Sequence, residues 1–189
     1  MTSLARFSIW VLGCVALANA VGCAPVHCTG AMLQFNVTVS MDDSLKQQGV
    51  VPRVELDLIG VNASDAPTWS AKSLTDYFTP GDALRNAAQQ NTYIMRLDDG
   101  SQSQTLKIDD PKWATWKSQG AVSLFIIASY PREPDMPGEL DRQRKIIPLD
   151  CSYWDDPLPD DEKTINISLT SDGLSVVNQK WKPPQKTGS

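Results

Sequence analysis

Residues 33–40 alternate Leu33, Phe35, Val37 and Val39 with Gln34, Asn36, Thr38 and Ser40. A period of two puts every apolar side chain on one face of an extended chain, so this stretch reads as a half-buried strand. The same pattern returns in residues 53–61 (Val54, Leu56 and Leu58 on one face) and 164–170 (Ile165, Ile167, Leu169), and residues 93–97, 103–108, 143–149 and 174–181 also read as strands. Residues 121–129, AVSLFIIAS, are apolar on both parities, as in a central strand buried on both faces. Seven or eight short strands, each needing a partner for its apolar face, predict a mainly β fold, an antiparallel β-sandwich.

The segments between the strands carry turn and helix signals. MDDSLKQQG (residues 41–49) is polar without an apolar period and reads as an exposed loop. Pro52 marks the start of the second strand, and Gly60 with Asn62 suggests a bulge or exit. Residues 62–67 read as a turn, and residues 69–78 as irregular with some helix after Ser73. Thr79-Pro80-Gly81-Asp82 reads as a helix start with Thr79 as cap and Pro80 at the first position. Asp98-Asp99-Gly100-Ser101 predicts a hairpin between the strands on either side. Asp110-Pro111 repeats the cap-then-proline device before a short helix that presents Trp113 and Trp116 on one face. Arg142, Arg144 and Lys145 read as a solvated strand edge.

The N-terminus carries the other strong signal. Arg6 precedes an apolar run from residue 7 to 18 that is short for a bilayer span, which is the shape of an export leader. Two processing readings compete with a third, an uncleaved anchor. Ala18-Asn19-Ala20 is a cleavage site of A-x-A type, whereas Ala20-Val21-Gly22-Cys23 resembles the bacterial lipobox, in which the cysteine is lipidated and becomes the new N-terminus. Parity among the 4 cysteines favours the lipobox. Cys14 leaves with the leader. Lipidating Cys23 then leaves Cys28 and Cys151 as a pair able to form a disulfide in an oxidising compartment. The expected organisation is a signal peptide over 1–22, a lipidated tether over 23–30, the sandwich over 31–181 and a frayed tail over 182–189.

Charge and composition narrow the function classes. The leader holds one of the 17 basic residues and none of the 22 acidic ones, so export makes the chain more acidic than its net charge of −5. That sign disfavours nucleic acid or an anionic membrane surface as partner. His27 is the only histidine and lies in the tether, a poor place for a triad that needs rigid support. No G-x-S-x-G, P-loop or H-E-x-x-H run is present, so no catalytic residue, metal ligand or cofactor is expected. The acidic run at Asp155, Asp156, Asp160, Asp161 and Glu162 lacks EF-hand spacing and reads as a proline-stiffened loop. Trp69, Trp113, Trp116, Trp154 and Trp181 read first as large apolar fillers of a small sandwich. Their second reading is a sugar-stacking surface.

The leader ending AVGC, the strand LQFNVTV with its polar loop MDDSLKQQG, the strand RVELDLIGV, the insertion SLTDYFTPGDALR and the late strand AVSLFIIASY together resemble the small outer-membrane lipoprotein of type VI secretion systems, the SciN/TssJ family. The resemblance is one of layout and covers most of the exported chain. It implies a transthyretin-like sandwich tethered by palmitate-bearing lipid to the outer membrane facing the periplasm. It also implies docking of an envelope protein through the first inter-strand loop, which gives Asp42, Asp43, Lys46, Gln47 and Gln48 a partner-binding role. The cysteine pair, the proline-rich residues 131–137 and the acidic run near Asp155 depart from that layout. The expected function is therefore a non-catalytic, lipid-anchored periplasmic docking protein. A lipid-anchored glycan- or ligand-binding module and an exported hydrolase are the alternatives.

Overall fold

The computed structural model describes residues 32–45, 50–129, 142–154, 163–178 and 181. The leader, Cys23 and Cys28, Lys46, Gln47 and Gln48, the proline-rich loop, the acidic run and the tail all lie outside these residues.

Among the described residues, eight strands form two four-stranded sheets. The first holds β1 (Asn36–Met41), β4 (Ser103–Leu106), β7 (Thr164–Thr170) and β8 (Gly173–Val176), in the order β4-β1-β7-β8. The second holds β2 (Val54–Asn62), β3 (Thr92–Leu97), β5 (Ala121–Ser129) and β6 (Arg144–Pro148), in the order β3-β2-β5-β6. The inward residues of both sheets form the main core, with Val37, Val39, Ile165, Ile167 and Leu169 facing Leu56, Leu58, Met95, Leu124 and Ile126.

Pairing is antiparallel except between β1 and β7, which run parallel from Asn36 opposite Thr164 to Met41 opposite Leu169. The antiparallel expectation thus needs one correction. Both strands start at the end of the sandwich where Met32 bridges Asp150 and the Leu33 N–H donates to the Leu149 carbonyl at 2.7 Å. Alternation along a strand carries no information about the direction of its neighbour.

The apolar run of β5 sits mid-sheet and is covered on both faces, as its composition requires. Leu124, Ile126 and Ala128 face the other sheet. Phe125 and Ile127 face a second cluster with Ile59, Val61, Trp69, Leu74 and Tyr77. The latter three come from an insertion of short helices, α1 (Ala66–Ala71), α2 (Leu74–Tyr77) and α3 (Ala83–Ala88), folded over the outer face of the second sheet. Ser73 caps α2 through its side chain. The cap of α3 is Asp82 rather than Thr79: its Oδ1 accepts from the Arg85 N–H at 2.9 Å, and Gly81 at φ 89° turns the chain just before it. Pro80 belongs to that turn.

α4 (Pro111–Ser118) starts as predicted. Asp110 Oδ1 accepts from the Lys112 N–H at 2.9 Å, and Pro111 takes the first turn. Trp113 and Trp116 share its buried face with ring centroids 5.0 Å apart, edge to face. Gly60 lets Trp116 lie flat against β2, since a Cβ there would stand 2.4 Å from Trp116 Cγ. The bulge falls next to it, between Val61 and Asn62.

The Asp98–Ser101 turn forms, with its bridge, but the strands on either side do not pair as a hairpin. β3 joins the second sheet and β4 the first. The side-chain amide of Gln104 stands in for the missing ladder, accepting from the Arg96 N–H at 3.3 Å and donating to the Arg96 carbonyl at 2.6 Å. Arg144 also departs from expectation. It is buried rather than solvated, and its Nη1 donates to the carbonyls of Trp69 at 2.9 Å and Lys72 at 3.2 Å. A fixed cation there complements the negative end of α1. The final strand stops at Val176, and Trp181 returns only as an isolated bridge to Trp154.

Candidate functional site

Strand polarity gives the sandwich two unlike poles. At one lies the start of β1's approach: Met32 and Leu33 lie against Asp150 and Leu149. Here Phe35 stacks on Trp113 (5.3 Å, edge to face) and Trp154 (5.6 Å), and Trp154 on Trp181 (5.1 Å). The indole N–H groups of Trp113, Trp116 and Trp154 are spent on the carbonyls of Lys107, Asn91 and Pro148 at 2.9, 2.7 and 3.1 Å. All five tryptophans outside the leader are buried. They fill the core and form no sugar-stacking platform.

The other pole carries the β1–β2 connection, the Asp98–Ser101 turn and the β7–β8 turn. At about 3.3 Å per residue, the extended chain from Met32 to Met41 separates the poles by roughly 30 Å. The first loop leaves β1 under restraint. The Met41 N–H donates to the Gln102 carbonyl and the Asp42 N–H to the Leu169 carbonyl, both at 2.8 Å. Asp43–Leu45 makes one 3-10 turn that buries Leu45, and Ser44 Oγ accepts from the Ser171 N–H at 3.2 Å. Of the loop residues singled out by sequence, Asp42 and Asp43 are exposed at this pole. The Ser44 N–H, at 2.9 Å from Asp42 Oδ1, and the Ser44 hydroxyl hold the Asp42 carboxyl below its ordinary range. Fixed acceptors on a fastened loop suit recognition of hydrogen-bond donors. Among the described residues, no three His, Cys, Asp or Glu side chains converge as metal ligands, and no helix is long and apolar enough to cross a membrane.

Cys151 opens a 3-10 turn at the pole of Met32 and is buried. It is disulfide-bonded, and its partner cysteine lies outside the described residues.

A charged network on the second sheet escaped sequence reasoning. Asp57, 1% exposed, accepts from the Tyr77 hydroxyl and from Arg85 Nε, both at 2.9 Å. Arg85 Nη2 also pairs with Glu55, whose other oxygen accepts from Arg96 Nε at 2.9 Å. The guanidinium lies 4.8 Å from the Phe78 ring centroid. Burial, then the Asp57 charge, push the Tyr77 hydroxyl above its usual pKa. Burial works against the charge on Arg85, but Asp57 and Glu55 outweigh it and raise its pKa. The network bolts the helical insertion to the sheet. Its only sequence trace is an acid at an outward position of β2, without a spacing that names the partner.

No protein-family model and no curated protein matches the sequence. Solved structures do. The type VI secretion protein TssM from EAEC, in its C-terminal domain, aligns with 76% of this chain and 99% of its own at TM-score 0.50 and 11% identity. The chain has the fold of a type VI secretion protein. Two further structures align over similar spans. Serratia marcescens Lip, a membrane-bound component of the type VI secretion system, covers 79% of this chain and 99% of its own at 13% identity and TM-score 0.48. The type VI lipoprotein TssJ1 from Pseudomonas aeruginosa covers 81% and 98% at 14% identity and TM-score 0.43. At such identities it is the fold that is shared.

Proposed function

We propose that this chain is a non-catalytic, lipid-anchored envelope protein that docks a second envelope protein, in a type VI secretion apparatus, through its first inter-strand loop. The observation that carries this is the polarity of the sandwich. The chain arrives from the tether at one pole, and the loop holding Asp42 and Asp43 stands at the other. A lipid on Cys23 at the outer membrane then directs that loop away from the bilayer. The shared fold supports the system. The buried tryptophans withdraw support from the glycan-binding alternative.

The pairing of Cys28 with Cys151 belongs to the same reading. Met32 bridges Asp150, the neighbour of Cys151, and in the sequence Cys28 precedes Met32 by four residues and Cys23 by nine. Proximity supports Cys28 as the bridge partner and leaves Cys23 for lipid.

The test uses the full chain in cells. Replacing residues 42–48 with a Gly/Ser segment of equal length is expected to abolish co-purification of the envelope partner and to leave membrane retention unchanged. Cys23→Ala is expected to do the reverse, releasing the protein and abolishing palmitate labelling. Partner capture that survives the loop replacement would overturn the docking role. Membrane retention that survives Cys23→Ala would overturn the lipid anchor.

A further inference from the structure

The first sheet has an unusual outer face. The second sheet is covered by α1 to α3, whereas no described element covers the first. Its inward positions are apolar except for Gln104, and every outward side chain on β1, β4, β7 and β8 is Ser, Thr or Asn. Across the middle of the sheet run Thr105, Thr38 and Asn166, and in the next row Ser103, Ser40, Ser168 and Ser175, each opposite its neighbour. Cross-strand hydroxyl pairs tie the rows, Thr38 to Thr105 at 2.9 Å and Ser40 to Ser103 at 2.8 Å. Val177, 69% exposed, borders Asn166 at one edge. A quarter or more of an ordinary soluble surface is charged, and exposed strands use charge to keep other chains away. Within the four strands this face carries none, and the exposed Lys107 and Asp42 stand only just past the ends of β4 and β1.

We propose that this face is a contact between two copies of the chain, packed face to face about a two-fold axis parallel to the strands. Three observations choose a second copy as the occupant. The chain has a net charge of −5, so two copies repel wherever charged surfaces meet, and a neutral face escapes that repulsion. Hydroxyls and amides each donate and accept, so a face made of them complements itself, as an isologous contact requires. An axis along the strands keeps both tether poles on one side and both loop poles on the other, so neither copy has to invert relative to the other. Four strands about 4.8 Å apart and five residues long give roughly 300 Å² per copy. That is below the size of a stable interface, so the contact is weak in dilute solution and forms where copies are concentrated on a surface. The contact does not depend on the docking role of the far pole.

A photo-crosslinking residue placed at Asn166 in the full-length, membrane-localised protein is expected to give a covalent homodimer, and one placed at Asn86 on α3 is not. Thr38→Asp and Thr38→Lys, near the middle of the face, are each expected to lower the Asn166 crosslink at least about fivefold. Co-expressing the two under different tags is expected to restore it as a mixed dimer. Ser168→Asp and Ser168→Lys repeat the test at a second position, and unchanged protease resistance certifies folding. No homodimer from Asn166, equal yields from Asn86, a crosslink to a different molecule instead, or failure of the opposite charges to rescue would overturn the proposal.

Discussion

Arg85→Ala should be the most damaging single change on the second sheet's outer face. It strips Asp57 of its cation and leaves that carboxylate, 1% exposed, with the Tyr77 hydroxyl alone. Breaking a buried pair from one side costs about 3 to 5 kcal/mol, because the remaining charge is uncompensated. Losing the guanidinium from the Phe78 face adds about 0.5 to 1 kcal/mol. For a domain of this size each kcal/mol moves the melting temperature by about 2 to 4 °C, so a fall of roughly 7 to 24 °C is expected. Asp57→Asn should cost less. It leaves no buried charge, and Arg85, with a side chain 28% exposed, keeps Glu55 and some solvent. In the double variant the two losses should not add, and a coupling of about 2 kcal/mol or more should appear. Urea unfolding followed by tryptophan emission is the assay, since Trp69 packs 5.9 Å from Tyr77 and reports on the insertion. A cost below about 1 kcal/mol for Arg85→Ala, or simple additivity in the double variant, would refute the claim that this pair holds the insertion down.

Two further outcomes follow from local geometry. Gly60→Ala drives a Cβ to 2.4 Å from Trp116 Cγ, and overpacking of this kind should cost about 1 to 3 kcal/mol, read as a lower urea midpoint with α4 loosened in hydrogen exchange. Burial raises the Asp82 pKa, but its ion pair with Lys72 and its bonds to helix N–H groups outweigh this and lower it. Its stabilising effect is therefore complete above the unfolded carboxyl pKa of about 4 and is lost as pH falls through the lower folded value. Asp82→Asn should flatten the acid limb of the stability profile below about pH 4, and an unchanged limb would discount the pair.

The strands were legible because alternation is a local property with a direct physical cause. Val37 and Val39, or Ile165 and Ile167, must share one buried face wherever the chain goes. The helix start at Asp110-Pro111 was legible for the same reason, since a cap acts over three residues. Thr79 failed as a cap because Asp82 competes for the same role and Gly81 redirects the chain between them. Arg144 was misread because burial of a cation depends on carbonyls from Trp69 and Lys72, some seventy residues away. The first inter-strand loop was legible as an exposed loop by its lack of pattern, whereas its fastening to Leu169, Gln102 and Ser171 has no trace in its own residues.

By itself, then, the sequence determined a β-sandwich with a core of alternating apolar residues. That alternation is written within a few neighbouring residues. Tertiary structure alone decided which strands pair and in which direction: the parallel match of β1 with β7, the splitting of β3 and β4 between sheets, and the poles that follow from them. It alone brought Arg85 to Asp57 across 28 residues and gathered the Ser, Thr and Asn side chains of four separate strands onto one uncharged face. The physical reason is that alternation fixes which side of a strand is buried, while the choice of neighbour depends on how the whole chain closes around its core.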